Sequence, residues 1–278
     1  MSGPHPITVI AGFPEMWGPV FQKYKPFFAT VEKLVSLHNR VIRVPVEGQA
    51  QQVVGGLLRL MTNDYGAVLA LVMNGYGVQA MKIVRSMFEA ECNIHYLTKN
   101  PDAVNDYVDF NVIERKNLYD LMDDKQKSRL DPADVASMLA EYDAVAPRFT
   151  KIGKLRREWC EKTLYQRAEA VGLKELYVTI YRWMCSMHHA DFSSIVYSHD
   201  ASADDLHMAP SHAWLDQALV NAHGSLLRAL HHYVDMINVS LESEMQELAT
   251  EYKEACRSIG AVNSETQSMK SKPEQAGG

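Results

Sequence analysis

Three side chains in one short stretch combine the residue types of acid–base and phosphate chemistry with helical spacing. In YRWMCSMHHADF, Tyr181 to Phe192, the residues Arg182, Ser186 and His189 fall at i, i+4 and i+7. On an α-helix these positions share one face. Tyr177, Tyr181, Cys185 and His188 form the neighbouring stripe. An imidazole can pass a proton near neutral pH, and a guanidinium can hold developing negative charge. The surrounding residues are apolar or aromatic, among them Val178, Ile180, Trp183, Met184, Met187 and Phe192. A cation and an imidazole on such a helix need buried partners or a solvent pocket, because unpaired burial is costly.

Partners are expected on a second helix. Arg85 and Glu89 stand at i and i+4, away from the Ala80, Ile83, Met87 and Ala90 stripe. Their face also carries Met81, Cys92 and Tyr96, so this helix is apolar on two sides, as a central helix would be. Glu89 is expected to meet Arg182 or His189 across a helix–helix interface. Spacing alone leaves two readings open: a catalytic constellation, or an Arg–Glu–His seam that fixes register in a bundle.

Two further groups invite chemistry. Eight of the eleven histidines lie after residue 187, and with Asp191, Asp200, Asp204 and Asp205 they raise the question of a metal. No pair matches HExxH and no Cys/His spacing matches a structural zinc site, so no metal or other cofactor is expected. A hydrolase using His188, His189 and Asp191 is the one metal-dependent alternative. The second group is basic: Arg148, Lys151, Lys154, Arg156 and Arg157, continued by Lys162 and Arg167, with Phe149 and Trp159 interleaved. This pattern suits contact with phosphates and bases. A solvated loop and helix face is the competing reading.

These side chains sit in a chain dominated by helical periodicity. Val54, Leu57, Leu58, Met61, Tyr65, Val68, Leu69 and Val72 trace one helical face. Gly75 and Gly77 mark a tight turn, and the next helix runs from about Ala80 to Leu97. Asn100-Pro101-Asp102 predicts a helix start with Asn100 as its cap, and the helix continues to about Asp123. Asp131-Pro132-Ala133-Asp134 opens a shorter helix. Further helices are expected over about Arg157–Val171, Leu173–Tyr197 and, as one long element, Trp214–Arg257. An earlier helix covers about Phe21–Asn39, and strand signals are nearly absent. The expected organisation is an irregular arm over 1–20, a single helical domain over 21–257, and a polar, disordered tail over 258–278.

Composition sets the remaining bounds. The chain has 278 residues, 47% of them hydrophobic and 22% charged, which suits a globular domain with a sizeable core. The net charge of -6 provides no global positive field for nucleic acid or anionic membrane, so any such contact must be local. The four cysteines are scattered and form no CxxC, as in packed, reduced thiols. No signal peptide or membrane span is read, and the expected location is the cytoplasm.

RSMFEAECNIHYL, Arg85 to Leu97, together with Tyr177, Tyr181-Arg182 and Ser186…His189, resembles a family of uncharacterised bacterial helical proteins, known as a domain of unknown function. That family carries an Arg-Ser-x-x-Glu helix followed by Tyr-Arg…Ser…His. The resemblance covers about Val53 to Val196. More distantly, the separation of Arg182 from His188 or His189 is similar to that in HEPN-type helical domains, many of which are ribonucleases. The resemblance implies an all-α, irregular antiparallel helical bundle, HEPN-like, acting as a homodimer on RNA without a metal. It implies His189 as acid or base and Arg182 as transition-state stabiliser, with Ser186 and Glu89 orienting them. Trp183 departs from the polar residue found after the arginine in active HEPN members.

Overall fold

The computed structural model describes residues 12–189 and 210–260. Among them the chain is all-α apart from one two-residue hairpin. The helices are α1 (Pro14–Lys23), α2 (Lys25–Val41), α3 (Gln49–Met73), α4 (Gly77–Lys99), α5 (Val104–Leu121), α6 (Asp124–Lys127), α7 (Pro132–Val145), α8 (Leu164–Ala170), α9 (Lys174–Leu176), α10 (Arg182–His188), α11 (Leu215–Met236) and α12 (Glu242–Ser258). A π-helical stretch, Tyr177–Tyr181, joins α9 to α10.

The centre is a three-helix unit of α3, α4 and α11. The apolar face expected on α3 is the one buried: Val54, Leu58, Met61, Tyr65, Val68 and Val72. Helix α4 is buried on two sides, with Val84, Met87 and Phe88 and then Cys92, Ile94 and Leu97 out of solvent. It receives α10 and α8 on the flank away from α3 and α11. Helix α12 packs along α2, and α5 pairs with α7. The turn between α3 and α4 depends on its glycines. Gly75 adopts φ +76, and a Cβ on Gly77 would lie 2.0 Å from the Ala213 carbonyl oxygen. Only glycine lets the two backbones meet there.

Several boundaries differ from those expected. The arm expected over 1–20 is helical from Pro14, with Pro14 at the first position of α1. The helix expected over Phe21–Asn39 is divided at Tyr24 between α1 and α2. Pro26, without an N–H, interrupts the hydrogen-bond ladder there. Asp131 caps α7, accepting from Ala133 N–H at 2.8 Å. Asn100 does not cap forward. Its side chain donates back to the Tyr96 carbonyl at 2.8 Å, and a 3-10 turn, Pro101–Ala103, precedes α5.

The segment after α7 forms a hairpin of Thr150–Lys151 against Lys154–Leu155. Ile152 (φ 52) and Gly153 (φ 70) supply the paired positive φ angles of a type I′ turn. The helix expected from Arg157 begins only at Leu164. It starts there because Thr163 and Gln166 form a capping box.

The single helix expected over Trp214–Arg257 is two. Asn238 takes a left-handed φ of 53, Val239 N–H bonds the Val234 carbonyl at 3.3 Å, and Asn238 N–H bonds the Asp235 carbonyl at 3.2 Å. This is a Schellman stop, and asparagine tolerates the left-handed conformation it requires. Of the tail expected over 258–278, Ser258 closes α12 and Ile259 packs on the core, and the rest, beyond 260, lies outside the described residues, as do residues 190–197 of the expected Leu173–Tyr197 helix. No described helix is long and apolar enough to cross a membrane.

Candidate functional site

Helix α4 carries Arg85, Glu89 and Asn93 at steps of four, in one row along its outer flank. The π-helical stretch lies against this row. Its wider turn advances the chain, so that Tyr181 points inward and is buried, and Cys185 follows one turn later. Phe88 packs on Tyr181 with ring centroids 5.1 Å apart, and Tyr177 stacks on Tyr181 at 4.9 Å.

The polar tips close on one another. Tyr181 donates its hydroxyl to Glu89 Oε1 at 2.6 Å. Arg85 Nη2 lies 2.9 Å from the same oxygen and 3.3 Å from the tyrosine hydroxyl. Arg85 Nε reaches Cys185 Sγ at 3.4 Å. Burial raises the Tyr181 pKa, and the hydrogen bond to Glu89 raises it further. The phenol therefore stays protonated and serves as a donor.

Arg85 and Glu89 thus stand together as expected, but Glu89 meets Tyr181 instead of Arg182 or His189. Arg182 and His189 are exposed and Ser186 is half-buried. The stripe that faces α4 is the one containing Tyr181 and Cys185, and Arg182 lies one residue, about 100°, further round. His188 is also exposed, its ring 5.3 Å from that of His189. Asp191, Asp200, Asp204 and Asp205 lie outside the described residues. Among the described residues no group of three or more His, Cys, Asp and Glu side chains is placed to hold a metal ion.

The basic run is mostly answered by acids. Arg148 pairs with Asp109 and Asp106, Lys151 lies 3.8 Å from Glu161, and Arg156 lies 3.7 Å from Asp106 while stacking over Phe149. Lys154 and Arg157 are exposed. The further basic residue Arg167 is buried, 2.6 Å from Glu158 and stacked over Trp159 at 5.2 Å.

These elements enclose a cleft of about 690 Å³ between α4, α5, the 157–167 segment and the π-helical stretch. Glu89, Asn93 and Tyr181 line one wall, Tyr107 and Asn111 another, and Arg157, Trp159 and Arg167 a third. Three buried polar atoms of its lining have no hydrogen-bond partner in the protein: Asn93 Oδ1, Trp159 Nε1 and Arg167 Nε. The sequence held one signal for Asn93, which continues the Arg85/Glu89 row by a further four residues.

A second polar cluster, absent from the expected set, lies in the core between α4 and α11. Glu91 is fully buried and accepts two bonds from Arg228, Nε at 2.6 Å and Nη2 at 3.1 Å, and another from Ser225. His95 Nε2 is 3.9 Å from Glu91, but burial, aided by His232 and Arg228, pushes its pKa down to about 2. The imidazole is therefore neutral and the contact is not an ion pair. On the opposite side of α11, Tyr65 and His223 share a 2.8 Å hydrogen bond inside the core.

The model of a family of unknown function, DUF5677, matches residues 51–207. No curated protein and no solved structure matches the chain.

Proposed function

We propose that the chain, which belongs to the DUF5677 family, is a non-catalytic helical domain that binds a small polar ligand in the cleft beside α4. One observation carries this reading. Among the described residues nine buried side-chain polar atoms lack a protein partner, and three of them, Asn93 Oδ1, Trp159 Nε1 and Arg167 Nε, belong to side chains that line this one cleft, although such atoms are rare in folded proteins. A cleft of about 690 Å³ is within the range of ligand sites. In this reading Arg85, Glu89 and Tyr181 are structural. They spend their hydrogen bonds on one another and hold the π-helical stretch as a fixed wall. The test is native mass spectrometry of the purified full chain beside a Val108→Trp variant that fills the cleft from its half-open edge. A small molecule retained by the wild type and lost from an equally stable variant is expected. A wild type that carries nothing, and that is not stabilised by a small-molecule cell extract, overturns the proposal.

A second reading rests on a different observation. Arg182, at the start of α10, and His189, just past its end, are both exposed, directly after a π-helical stretch, a feature common at functional sites. In this reading the domain is an HEPN-like, metal-independent endoribonuclease, a cytoplasmic homodimer in bacterial stress or phage defence. His189 moves the proton while the ribose 2′-hydroxyl attacks, and Arg182 stabilises the phosphorane-like transition state. Ser186 orients them, and Glu89, engaged by Tyr181, takes no part. Cleavage of RNA in EDTA, abolished by His189→Ala with the fold intact, is the expected result. Undiminished cleavage by the variant sinks this reading.

A further inference from the structure

Resting on the ligand-binding reading, we infer that the cleft takes an organic anion of nucleotide size: a planar ring with hydrogen-bonding edges, joined to a phosphate or carboxylate. The anion follows from the donors. Arg167 and Trp159, which line the cleft, are only 5% and 7% exposed, and each has one buried N–H without a protein partner. Neither group can accept a hydrogen bond, so an acceptor is the only partner either can take. Arg157 lines the same cleft, exposed, and makes no ion pair among the described residues. A free guanidinium that shares a cleft with two further donor side chains matches an acceptor-only oxyanion better than any neutral group.

Acidic neighbours locate that end more closely. Glu158 is taken up by Arg167, and Glu89 by Arg85 and Tyr181. Glu114, exposed, also lines the cleft, and an anion must bind clear of it. The ring follows from the remaining walls. Tyr107 stands edge-on to Trp159 with centroids 5.1 Å apart, giving flat apolar surface. Asn93 and Asn111 bring carboxamides to the same cleft, and a carboxamide pairs in two directions with the edge of a heteroaromatic ring.

The experiment is calorimetric titration of the full chain with the four ribonucleoside 5′-monophosphates, adenosine, indole-3-acetate and inorganic phosphate. At least one nucleotide or indole-3-acetate is expected to bind. Adenosine is expected to bind about tenfold or more weakly than its monophosphate, and Arg157→Glu to weaken the anion by a similar factor without changing the melting temperature. A nucleotide preferred over indole-3-acetate identifies phosphate as the anion, and the reverse preference identifies carboxylate. Adenosine binding as tightly as its monophosphate, indifference to Arg157→Glu, or no binding by any ring-bearing anion overturns the inference. If the anions fail while native mass spectrometry still finds a molecule displaced by Val108→Trp, the ligand-class inference falls and the ligand-binding reading stands. If both measurements are blank, both fall.

Discussion

Replacing Arg228 with Met tests what holds the centre of the domain together. Glu91 is fully buried on α4. Its carboxylate is held by two bonds from Arg228, at 2.6 and 3.1 Å, and by the Ser225 hydroxyl. The variant keeps an unbranched apolar stem but removes the only positive charge bonded to Glu91 among the described residues. Removing one partner of a buried ion pair costs about 3–5 kcal/mol, because the other charge is left without compensation. The Arg228 side chain keeps 38% of its surface in water, so the lower end applies, about 3 kcal/mol. For a chain of this size that corresponds to a melting temperature lower by roughly 6–12 °C. The assay is thermal unfolding followed by circular dichroism, with Glu91→Gln and the double variant completing a cycle. The double variant is expected to be more stable than Arg228→Met alone, since no uncompensated charge remains. A single variant within about 1 kcal/mol of wild type, or a double variant whose loss equals the sum of the two singles, refutes the reasoning.

Three other outcomes are expected. Tyr181→Phe removes the hydroxyl that donates to Glu89 and should cost about 1.5–3 kcal/mol, read by denaturant unfolding; a neutral effect would mean that the Arg85–Glu89–Tyr181 cluster does not hold the π-helical stretch. Burial lowers the His223 pKa to about 3, below the ordinary value near 6.5, so the unfolded state binds the extra proton. Its contribution is therefore complete above pH 6.5 and declines as pH falls toward about 3, by up to roughly 1.4 kcal/mol per pH unit; melting curves from pH 7.5 to 4 should be steeper for wild type than for His223→Gln, and parallel curves would refute the assignment. Gly77→Ala would drive a methyl group into the Ala213–Leu215 backbone and should cost about 2 kcal/mol or more, whereas Gly56→Ala, with nothing within 4 Å and a helical backbone, should stabilise by about 0.5–1 kcal/mol. Equal thermal shifts for the two variants would show that the close approach at Gly77 is not a constraint.

What the chain revealed by itself was local. The steps of three and four between Val54 and Val72 identified the buried face of α3, and the two apolar sides of the Ala80–Leu97 segment identified α4 as central. Arg85 and Glu89 were legible as a pair because i and i+4 positions meet on any α-helix. Asp131 was legible as a cap because its side chain bonds its own neighbours. The Asn238 stop was present in the residues too, but asparagine marks a helix end only where the chain turns left-handed there, and periodicity continues across it.

Tertiary structure decided which stripe of the Tyr181–His189 segment faces inward. An ideal α-helix places Arg182, Ser186 and His189 together, but α10 ends at His188, and rotation about the helix axis is set by packing. Phe88 and Tyr177 seat the Tyr181 ring, the π-helical turn shifts the register, and Arg182 and His189 are left in solvent. The Glu91–Arg228 pair joins residues 137 apart in sequence, and the cleft gathers Asn93, Trp159 and Arg167 from separate segments. Helical periodicity is a property of each segment alone, whereas the free energy of pairing a buried charge depends on which distant segment arrives beside it. The sequence therefore determined the helices and their apolar faces, and only the packed structure decided which polar residues meet.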